Sequence, residues 1–412
     1  MMLSRTVTNS PAMMGVQQPG FNWSLLTLVM LLISIGFVMV ASSSMAFAET
    51  GYGDAWYFVK RHLIWLGLAL IGSVLVAAIP MTIWQQYGSL LLVVAVVLLV
   101  LVLIPGVGRR VNGSQRWLQL GPFTLQASEA VKFCMIVFFA SFLTRRREEI
   151  LASWRGVLKP LLVLGAVVFL LLLEPDFGGA VVLAGTVMAL MFIAGVRLKF
   201  FSVISLGAVS LLAVIATTKS YRIERLKTYL DPWADQFDGG YQLTQSLIAF
   251  GRGEWFGLGL GNSVQKLFFL PEAHTDFIFA IVAEELGLVG AVVIIGIFVA
   301  LIANLLATAR RAMAAGAPFA SYVAFGVAIM FAAQAFINIG VASGLLPTKG
   351  LTLPFISYGG SSLLVSCAFI ALLLRLDWDV RCLMIENLKP TKRQRRSLKA
   401  PAPQSDSLLE SV

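Results

Sequence analysis

The sequence predicts an all-α, polytopic integral membrane protein with about ten transmembrane helices and a long outer loop between the seventh and eighth. Three observations support this fold class. The chain has 412 residues, of which 58% are hydrophobic. Only 13% are charged, whereas a soluble domain carries about 25%. Its apolar residues also cluster in runs long enough to cross a bilayer. This composition excludes an ordinary soluble enzyme, a disordered chain and a nucleic-acid-binding protein.

Ten apolar stretches meet the length of about 20 residues that a transmembrane helix requires. They lie at 23–47, 61–80, 86–105, 128–144, 158–174, 178–196, 199–217, 276–306, 318–343 and 357–375. The net charge of the chain is +10. Lys and Arg concentrate on the side of the two termini once the longest loop is set aside, because long loops carry little topological information. We therefore expect both termini in the cytoplasm and the 217–275 loop outside the membrane.

These spans divide the chain into a cytoplasmic N-terminal segment (1–22), a transmembrane domain (23–375) and a basic cytoplasmic tail (376–412). The tail carries a run of Lys and Arg at 392–396, which is typical of flexible segments that contact anionic lipid. The 217–275 loop is rich in aromatic residues. Such residues argue against disorder, so this loop is expected to be folded and functional.

Metal and disulfide chemistry find little support in the sequence. The three cysteines, Cys134, Cys367 and Cys382, are interpreted as unpaired. The two histidines, His62 and His274, are too few for a histidine-rich metal site. We therefore predict no metal ligands and no certain cofactor.

Ionisable residues in or beside spans are costly to place there, so each is a functional candidate. Asp276 opens the eighth span directly after the long loop. Apolar neighbours would desolvate its carboxylate, which makes a carboxylate a better general base. The alternative is structural, because Thr275 or Asp276 could cap the free N–H groups of the helix. Spacing alone does not choose between these two interpretations.

Three other pairs of charged residues have structural interpretations that we favour. Glu129 and Lys132 lie three residues apart near the start of the fourth span, where they share a helix face and can form an ion pair. A role for Lys132 in facing an anionic ligand stays open. Glu174 and Asp176 flank Pro175 in a tight outer turn. Glu284 and Glu285, deeper in the eighth span, are expected to hydrogen-bond within the bundle.

Two irregular segments complete the candidate site. The glycine-rich stretch 251–262 could form an anion-binding nest of backbone N–H groups. The stretch 347–362 breaks the chain before the tenth span, as is tolerated at membrane depth where backbone lines a cavity. The outer side thus gathers one candidate base, several cations and aromatic surface. That combination suits an anionic, partly lipidic substrate, but the residues alone leave an enzyme and a transporter equally open.

Three stretches carry a family resemblance. They are 240–246 through 271–280, then 346–350 through 361–362, and finally 116–118 ahead of Glu129 and Lys132. In these stretches, and over nearly the whole chain, the sequence resembles the SEDS family of bacterial cell-wall polymerases. Ala273 and the Thr348-Lys349 pair are more similar to the cell-division branch of that family than to its elongation branch.

The resemblance implies a ten-span helical fold and peptidoglycan glycosyltransferase activity on lipid II, a disaccharide-pentapeptide linked to undecaprenyl pyrophosphate. The family's essential aspartate matches Asp276, which is expected to act as general base. The expected partners are a cognate class B penicillin-binding protein and other divisome proteins. Pyrophosphate would also suit a divalent cation such as Mg²⁺ or Mn²⁺, although the sequence shows no dedicated cage for one.

Substrate-binding candidates are the polar and aromatic side chains of the matched and adjoining stretches. They are Arg116, Trp117, Glu129, Lys132, Asp176, Arg252, Lys266, His274 and Lys349. Trp117 could stack on a sugar or only anchor the chain at the interface. Two other functions are considered: a lipid II flippase, which the same topology and cations permit, and a non-catalytic divisome scaffold.

Overall fold

The computed structural model describes residues 20–111, 114–121, 123–217, 228–348 and 350–388. Within these ranges helices dominate, as the sequence predicts. They are α1 (Trp23–Tyr52), α2 (Tyr57–Ala78), α3 (Met81–Gln86), α4 (Gly88–Leu103), α5 (Ala127–Arg145), α6 (Arg147–Ala152), α7 (Trp154–Leu173), α8 (Phe177–Ile193), α9 (Leu198–Thr217), α10 (Tyr241–Gly253), α11 (Ile278–Ala314), α12 (Pro318–Ala342) and α13 (Gly360–Leu388).

Each of the ten predicted spans coincides with one of these helices. Six helices in the described residues, α1, α2, α5, α7, α11 and α12, are long and apolar enough to cross a membrane. The helices α4 and α8 and the first part of α9 are apolar but shorter. The tenth predicted span coincides with the first part of α13. The chain is therefore an integral membrane protein with a helical fold.

The helices differ in how much of their surface faces protein. Most residues of α5 and α12 are buried, whereas α2 exposes large apolar side chains such as Val74 and Leu75. Exposed apolar side chains are expected where the solvent is lipid, and buried ones where helices pack on all sides. In the main pairings α2 lies against α13, α4 against α5, and α11 against α12. The bundle is therefore built around α5 and α12.

A small antiparallel sheet follows α4, where we expected only a loop. Its strands are β1 (Gly108–Val111), β2 (Ser114–Leu120) and β3 (Phe123–Gln126), in the order β1-β2-β3. Trp117 of β2 lies opposite Arg109 of β1 and Gln126 of β3. Pairing the three strands satisfies their backbone donors and acceptors, which would otherwise cost free energy near the bilayer.

The last helix extends beyond the predicted tenth span into the predicted C-terminal tail. Helix α13 continues to Leu388, so residues 376–388 are helical rather than flexible. The side chain of Asp377 lies within salt-bridge distance of Arg311 at 3.3 Å and of Arg381 at 2.8 Å, which ties this part of α13 to the end of α11. The basic run predicted at 392–396 lies outside the described residues.

Candidate active site

Asp276 lies in the last turn of the long loop, two residues before α11 begins. The N-cap position of that helix belongs to Phe277, which makes no side-chain capping bond. The Thr275 hydroxyl instead donates to the carboxylate of Glu272 at 2.6 Å. The capping interpretation of this stretch is therefore wrong for Thr275. The Asp276 side chain is half-buried.

Three consecutive backbone carbonyl oxygens, those of residues 274–276, each accept a hydrogen bond from a different donor. The donors, in that order, are the N–H of Tyr358 (2.9 Å), the Oγ of Ser357 (2.6 Å) and the Nδ2 of Asn338 (2.9 Å). These bonds fix the backbone around Asp276 through neutral groups. Sequence reasoning missed Asn338 and Ser357. The signal for Asn338 was a polar amide within an apolar span, which is costly unless it is bonded.

The chain from 350 to 362, which we call the 350–362 segment, lies directly beside the Asp276 carboxylate. A Cβ atom placed on Gly350 would lie 2.8 Å from Oδ2 of Asp276. Asn338 also donates from Nδ2 to the Leu351 carbonyl oxygen at 2.6 Å. One amide therefore joins the backbone of Asp276 to the segment that packs on its side chain, and only glycine leaves room at position 350.

Arg116 of β2 reaches the turn between α7 and α8. Its Nε donates to the Glu174 carbonyl oxygen at 3.2 Å, and Nη2 donates to the carbonyl oxygen of Pro175. Its Nη1 lies 3.8 Å from Oδ1 of Asp176. That same Oδ1 accepts the N–H of Gly179 at 3.0 Å and so caps α8. The turn interpretation of Asp176 is confirmed, and Arg116 is the cation that holds the turn.

Glu174 differs from its neighbours in this turn. Its side chain is fully buried, and neither carboxylate oxygen has a hydrogen-bond partner among the described residues. Burial raises the pKa of Glu174 to about 8, the charge of Asp176 adds to the rise, and Arg116 opposes it. Glu174 is therefore protonated at neutral pH.

The sheet, the α7–α8 turn and the 350–362 segment meet at one end of the bundle. The N–H of Gln126 donates to Oγ of Ser361 at 2.9 Å. A Cβ on Gly178 would lie 3.1 Å from the Leu351 side chain. An apolar cavity of about 150 Å³ lies beside this junction, lined by residues of α8, α12 and the chain after α12, which are Phe177, Gly178, Val181, Ile337, Leu346, Pro347 and Leu351. Arg116, Trp117 and Asp176 are therefore connected to Asp276 through the 350–362 segment.

Glu129 and Lys132 form the ion pair expected from their spacing. Nζ of Lys132 lies 2.7 Å from Oε1 of Glu129, and both side chains are buried in α5. Their mutual attraction offsets the cost of burying two charges. In the described part of the chain Glu129 is the polar partner of Lys132. The ammonium group therefore keeps N–H donors that could bind a ligand.

Arg252 and Lys266 have carboxylate partners in α11. Nε of Arg252 lies 3.2 Å from Oε1 of Glu284, and Nζ of Lys266 lies 2.7 Å from Oε1 of Glu285. Both glutamates are fully buried. The expectation that they hydrogen-bond within the protein is confirmed, while the phosphate-binding role predicted for the two cations stays a prediction.

His274 lies in an aromatic cluster rather than in an open pocket. Its ring centroid is 4.8 Å from that of Phe58, 5.7 Å from that of Phe47 and 5.7 Å from that of Tyr358. Burial lowers the pKa of His274, although the charge of Glu272 opposes the shift. The imidazole is therefore neutral at pH 7. Its neutral ring supports the turn that leads to Asp276.

Two further predictions concern lysine and metal ligands. Lys349 lies outside the described residues, so its predicted role is untested. The described residues contain no group of three or more His, Cys, Asp or Glu side chains that could hold a metal ion. The three cysteines are free, as expected.

Comparison with known proteins places this chain in a family. Residues 22–381 match the family model for FtsW, RodA and SpoVE, described as a cell cycle protein. The chain is similar to a protein of Saccharophagus degradans named "Probable peptidoglycan glycosyltransferase FtsW". The two are 56% identical over 359 residues, which cover 87% of this chain and 93% of that protein.

Solved structures show the same fold. A chain of a peptidoglycan synthase complex that coordinates polymerization and crosslinking is 31% identical, with a TM-score of 0.72, over 88% of this chain and 98% of that one. The rod shape determining protein RodA of Thermus thermophilus is 28% identical, with a TM-score of 0.65, over 87% of this chain and 97% of that one. The protein therefore belongs to the FtsW/RodA/SpoVE family of cell cycle proteins, the SEDS family that its motifs resemble.

Proposed function

We propose that this protein is a peptidoglycan glycosyltransferase that polymerises lipid II into β-1,4-linked glycan, with Asp276 as its general base. The relatives that share about half of its residues are named for that activity. The observation that carries the assignment of the base is the placement of Asp276. Its backbone is fixed by three hydrogen bonds, and its half-buried carboxylate packs against Gly350.

The reaction inverts the anomeric centre, because the donor sugar is α-linked to pyrophosphate and the product is β-linked. The oxygen of the acceptor 4-hydroxyl attacks the anomeric carbon as the bond from that carbon to pyrophosphate breaks. One base must take the hydroxyl proton during the attack. Asp276 accepts this proton, and undecaprenyl pyrophosphate leaves with the electron pair of the broken bond. Since the carbonyls of residues 274–276 are fixed, the carboxylate is held in place before substrate binds.

Charge that develops on the leaving pyrophosphate needs cations or N–H donors. Arg116 is the best-placed described cation, because the turn it holds contacts the 350–362 segment beside Asp276. Lys132 keeps N–H donors beyond its bond to Glu129. Lys349 is included because it lies in one of the stretches that carry the family resemblance. A divalent cation would assist the same step. Trp117, half-buried on β2, is placed to stack on a sugar ring.

We place the protein at the division septum, with both termini in the cytoplasm and Asp276 at the outer face of the cytoplasmic membrane. Its partners there would be a class B penicillin-binding protein and other divisome proteins. The described part of the 217–275 loop supports a docking role, since it exposes large aromatic side chains, which are Trp233, Phe237, Trp255 and Phe256. Exposed aromatic residues are typical of interfaces and membrane surfaces.

The direct test compares wild type with Asp276→Asn, each purified with its class B partner and supplied with labelled lipid II. Loss of a general base lowers the rate by about 10²- to 10⁴-fold, so glycan chains should disappear from a gel of the products. Asp54→Asn is the matched control, because that carboxylate pairs with Lys60 on the exposed surface and should leave the rate unchanged.

Equal polymer from wild type and Asp276→Asn would remove Asp276 from the mechanism. No polymer from the wild type, together with transfer of labelled lipid II across a vesicle membrane, would favour the flippase. Assembly of the complex must be checked for each variant, since a scaffold would retain assembly without any synthesis.

A further inference from the structure

We propose that Lys266 and Arg252 are positioning residues that clamp the loop carrying Asp276 against a break in α11, and that Lys266 is thereby unavailable to bind pyrophosphate. The clamp consists of Lys266 with Glu285 and Arg252 with Glu284. It extends the proposed function, because the group that it positions is the proposed base.

Lys266 is committed to the protein interior. Its Nζ donates to Oε1 of Glu285 at 2.7 Å and to Oγ of Ser42 at 3.0 Å. The Ser42 hydroxyl lies 2.7 and 2.8 Å from the two carboxylate oxygens of Glu285. The Lys266 side chain is only 8% exposed. An ammonium that is buried and bonded in this way is not available to a phosphate at the surface. It instead joins three elements, namely the loop, α1 and α11.

Glu284 occupies an anion-binding nest formed by the chain itself. The N–H groups of Val264 and Gln265 donate to its carboxylate at 3.2 and 3.3 Å, and the Ser263 hydroxyl donates as well. Arg252 adds a cation at 3.2 Å. Successive N–H groups of this kind bind anions. The nest predicted for the glycine-rich stretch thus forms just beyond it, and a protein carboxylate fills it.

The clamp lies at the point where α11 is broken. Gly287 has φ 69° and ψ −170°, inside an otherwise helical run. The backbone groups released by the break bond to the loop, since Leu288 N–H donates to the Glu254 carbonyl oxygen and Leu258 N–H donates to that of Glu284. A Cβ on Gly287 would lie 2.3 Å from the nitrogen of Gly257. The loop therefore replaces a missing part of the helix.

The chain between the clamp and Asp276 is strained. Phe268 and Glu272 have φ values of 69° and 56°, a left-handed conformation that costs a residue other than glycine about 1–2 kcal/mol. Such a conformation persists only when the surrounding structure fixes it. The stretch from Lys266 to Asp276 is fixed at one end by the clamp and at the other by Asn338. Releasing the clamp should let this stretch relax and carry the carboxylate away from its position.

The test measures glycan synthesis, with kcat and KM for lipid II, for Lys266→Met, Glu285→Gln and the double variant, each in complex with the class B partner. A misplacement of about 1 Å can cost a catalyst about 100-fold. We therefore expect each single variant to lose about 10- to 100-fold in kcat, with KM changed less than about twofold. Lys60→Met, which breaks an exposed ion pair, is the matched control and should be unaffected.

The double variant separates positioning from substrate binding. Each single variant leaves one buried charge without its partner, whereas the double variant leaves none. Since the two residues act as one pair, we expect the double variant to lose no more kcat than the weaker single variant, and hydrogen exchange of the 263–277 backbone amides to be faster in all three. A rise in KM, or losses of the two single variants that multiply in the double variant, would overturn the proposal.

Two further measurements keep the result interpretable. Ser42→Ala retains both charges and removes only the hydroxyl between them. Ser42→Ala should lower kcat by about three- to tenfold. It provides the test of the clamp if Lys266→Met fails to fold. An unchanged kcat for Ser42→Ala and Glu285→Gln would also overturn the clamp. If Asp276→Asn is fully active while exchange still rises in Lys266→Met, the proposed base fails and the clamp stands as a structural device.

Discussion

The two ends of α11 are held in place in different ways. Before its first residue, Asp276 lies in irregular chain, and its backbone carbonyl accepts a bond from the neutral amide of Asn338. At its last turns, Arg311 lies 3.3 Å from Asp377, which Arg381 also contacts at 2.8 Å. Both partners there are cations on regular helices. Neutral donors therefore fix the backbone before α11, and side-chain charge joins its last turns to α13.

The difference has a chemical reason. A cation beside a carboxylate favours its ionised form and makes it a weaker base. Asp377 serves to join α11 to α13, so strong pairing is an advantage there. Asn338 instead anchors the backbone of Asp276, the proposed base, through a neutral amide that adds no charge of its own. The cations of the loop, Lys266 and Arg252, are directed to other carboxylates, which is consistent with this separation.

The largest effect short of replacing Asp276 itself is expected from Gly350→Ala. The new Cβ would lie 2.8 Å from Oδ2 of Asp276, closer than a carbon and an oxygen can approach, so the carboxylate must move. We expect glycan synthesis to fall by about 10- to 100-fold with no loss of thermal stability beyond about 1 kcal/mol. Gly51→Ala is the control, because nothing lies within 4 Å of its new Cβ. Normal synthesis by Gly350→Ala would show that the carboxylate need not occupy this position.

A smaller effect, on stability, is expected from Glu174→Gln. The folded-state pKa of Glu174 is about 8 against an ordinary value of 4.5. Between these values the folded state holds a proton that the unfolded state has released, so wild-type stability falls as pH rises through this window. The glutamine variant lacks this loss. Its advantage should be near zero at pH 4.5 and on the order of 4 kcal/mol at pH 8.

Thermal unfolding of both proteins in the same detergent at pH 4.5, 6 and 8 measures this difference. The midpoint of wild type should fall relative to that of Glu174→Gln as pH rises. A difference that stays constant with pH would mean that Glu174 finds a partner and is ionised in the folded protein.

Much of the fold could be predicted from apolar run length. The span expected at 318–343 is the helix Pro318–Ala342, and that expected at 23–47 begins at Trp23. The end of α13 was missed, because its last turns carry Arg and Asp pairs that lower the hydropathy although Asp377 is buried. The sheet was missed too, although Asn112-Gly113 between two strand-forming runs is a strong hairpin signal; those two residues lie outside the described ranges.

The candidate site was only partly accessible to sequence reasoning. The pairing of Glu129 with Lys132 follows from spacing on one helix. The pairs of Arg252 with Glu284 and of Lys266 with Glu285 do not, because they depend on how the loop folds back onto α11. For the same reason, interpretation of the sequence alone counted both cations among the residues free to bind an anion. Only the folded chain shows which of its carboxylates each cation meets.

The smallest effect on catalysis is expected from Asp377→Asn, the counterpart of Asp276→Asn at the other end of α11. Asp377 is 2% exposed, and the amide leaves Arg311 and Arg381 without a compensating charge. We expect a loss of about 1–3 kcal/mol in the free energy of unfolding, measured by thermal melting. The glycan synthesis rate per folded molecule should stay within about twofold of wild type, because the change lies on regular helix and does not reach the 350–362 segment. A large fall in that rate without a loss of stability would show that the two ends of α11 are coupled. The contrast between the end beside Asp276 and the charge-paired end beside Asp377 would then be wrong.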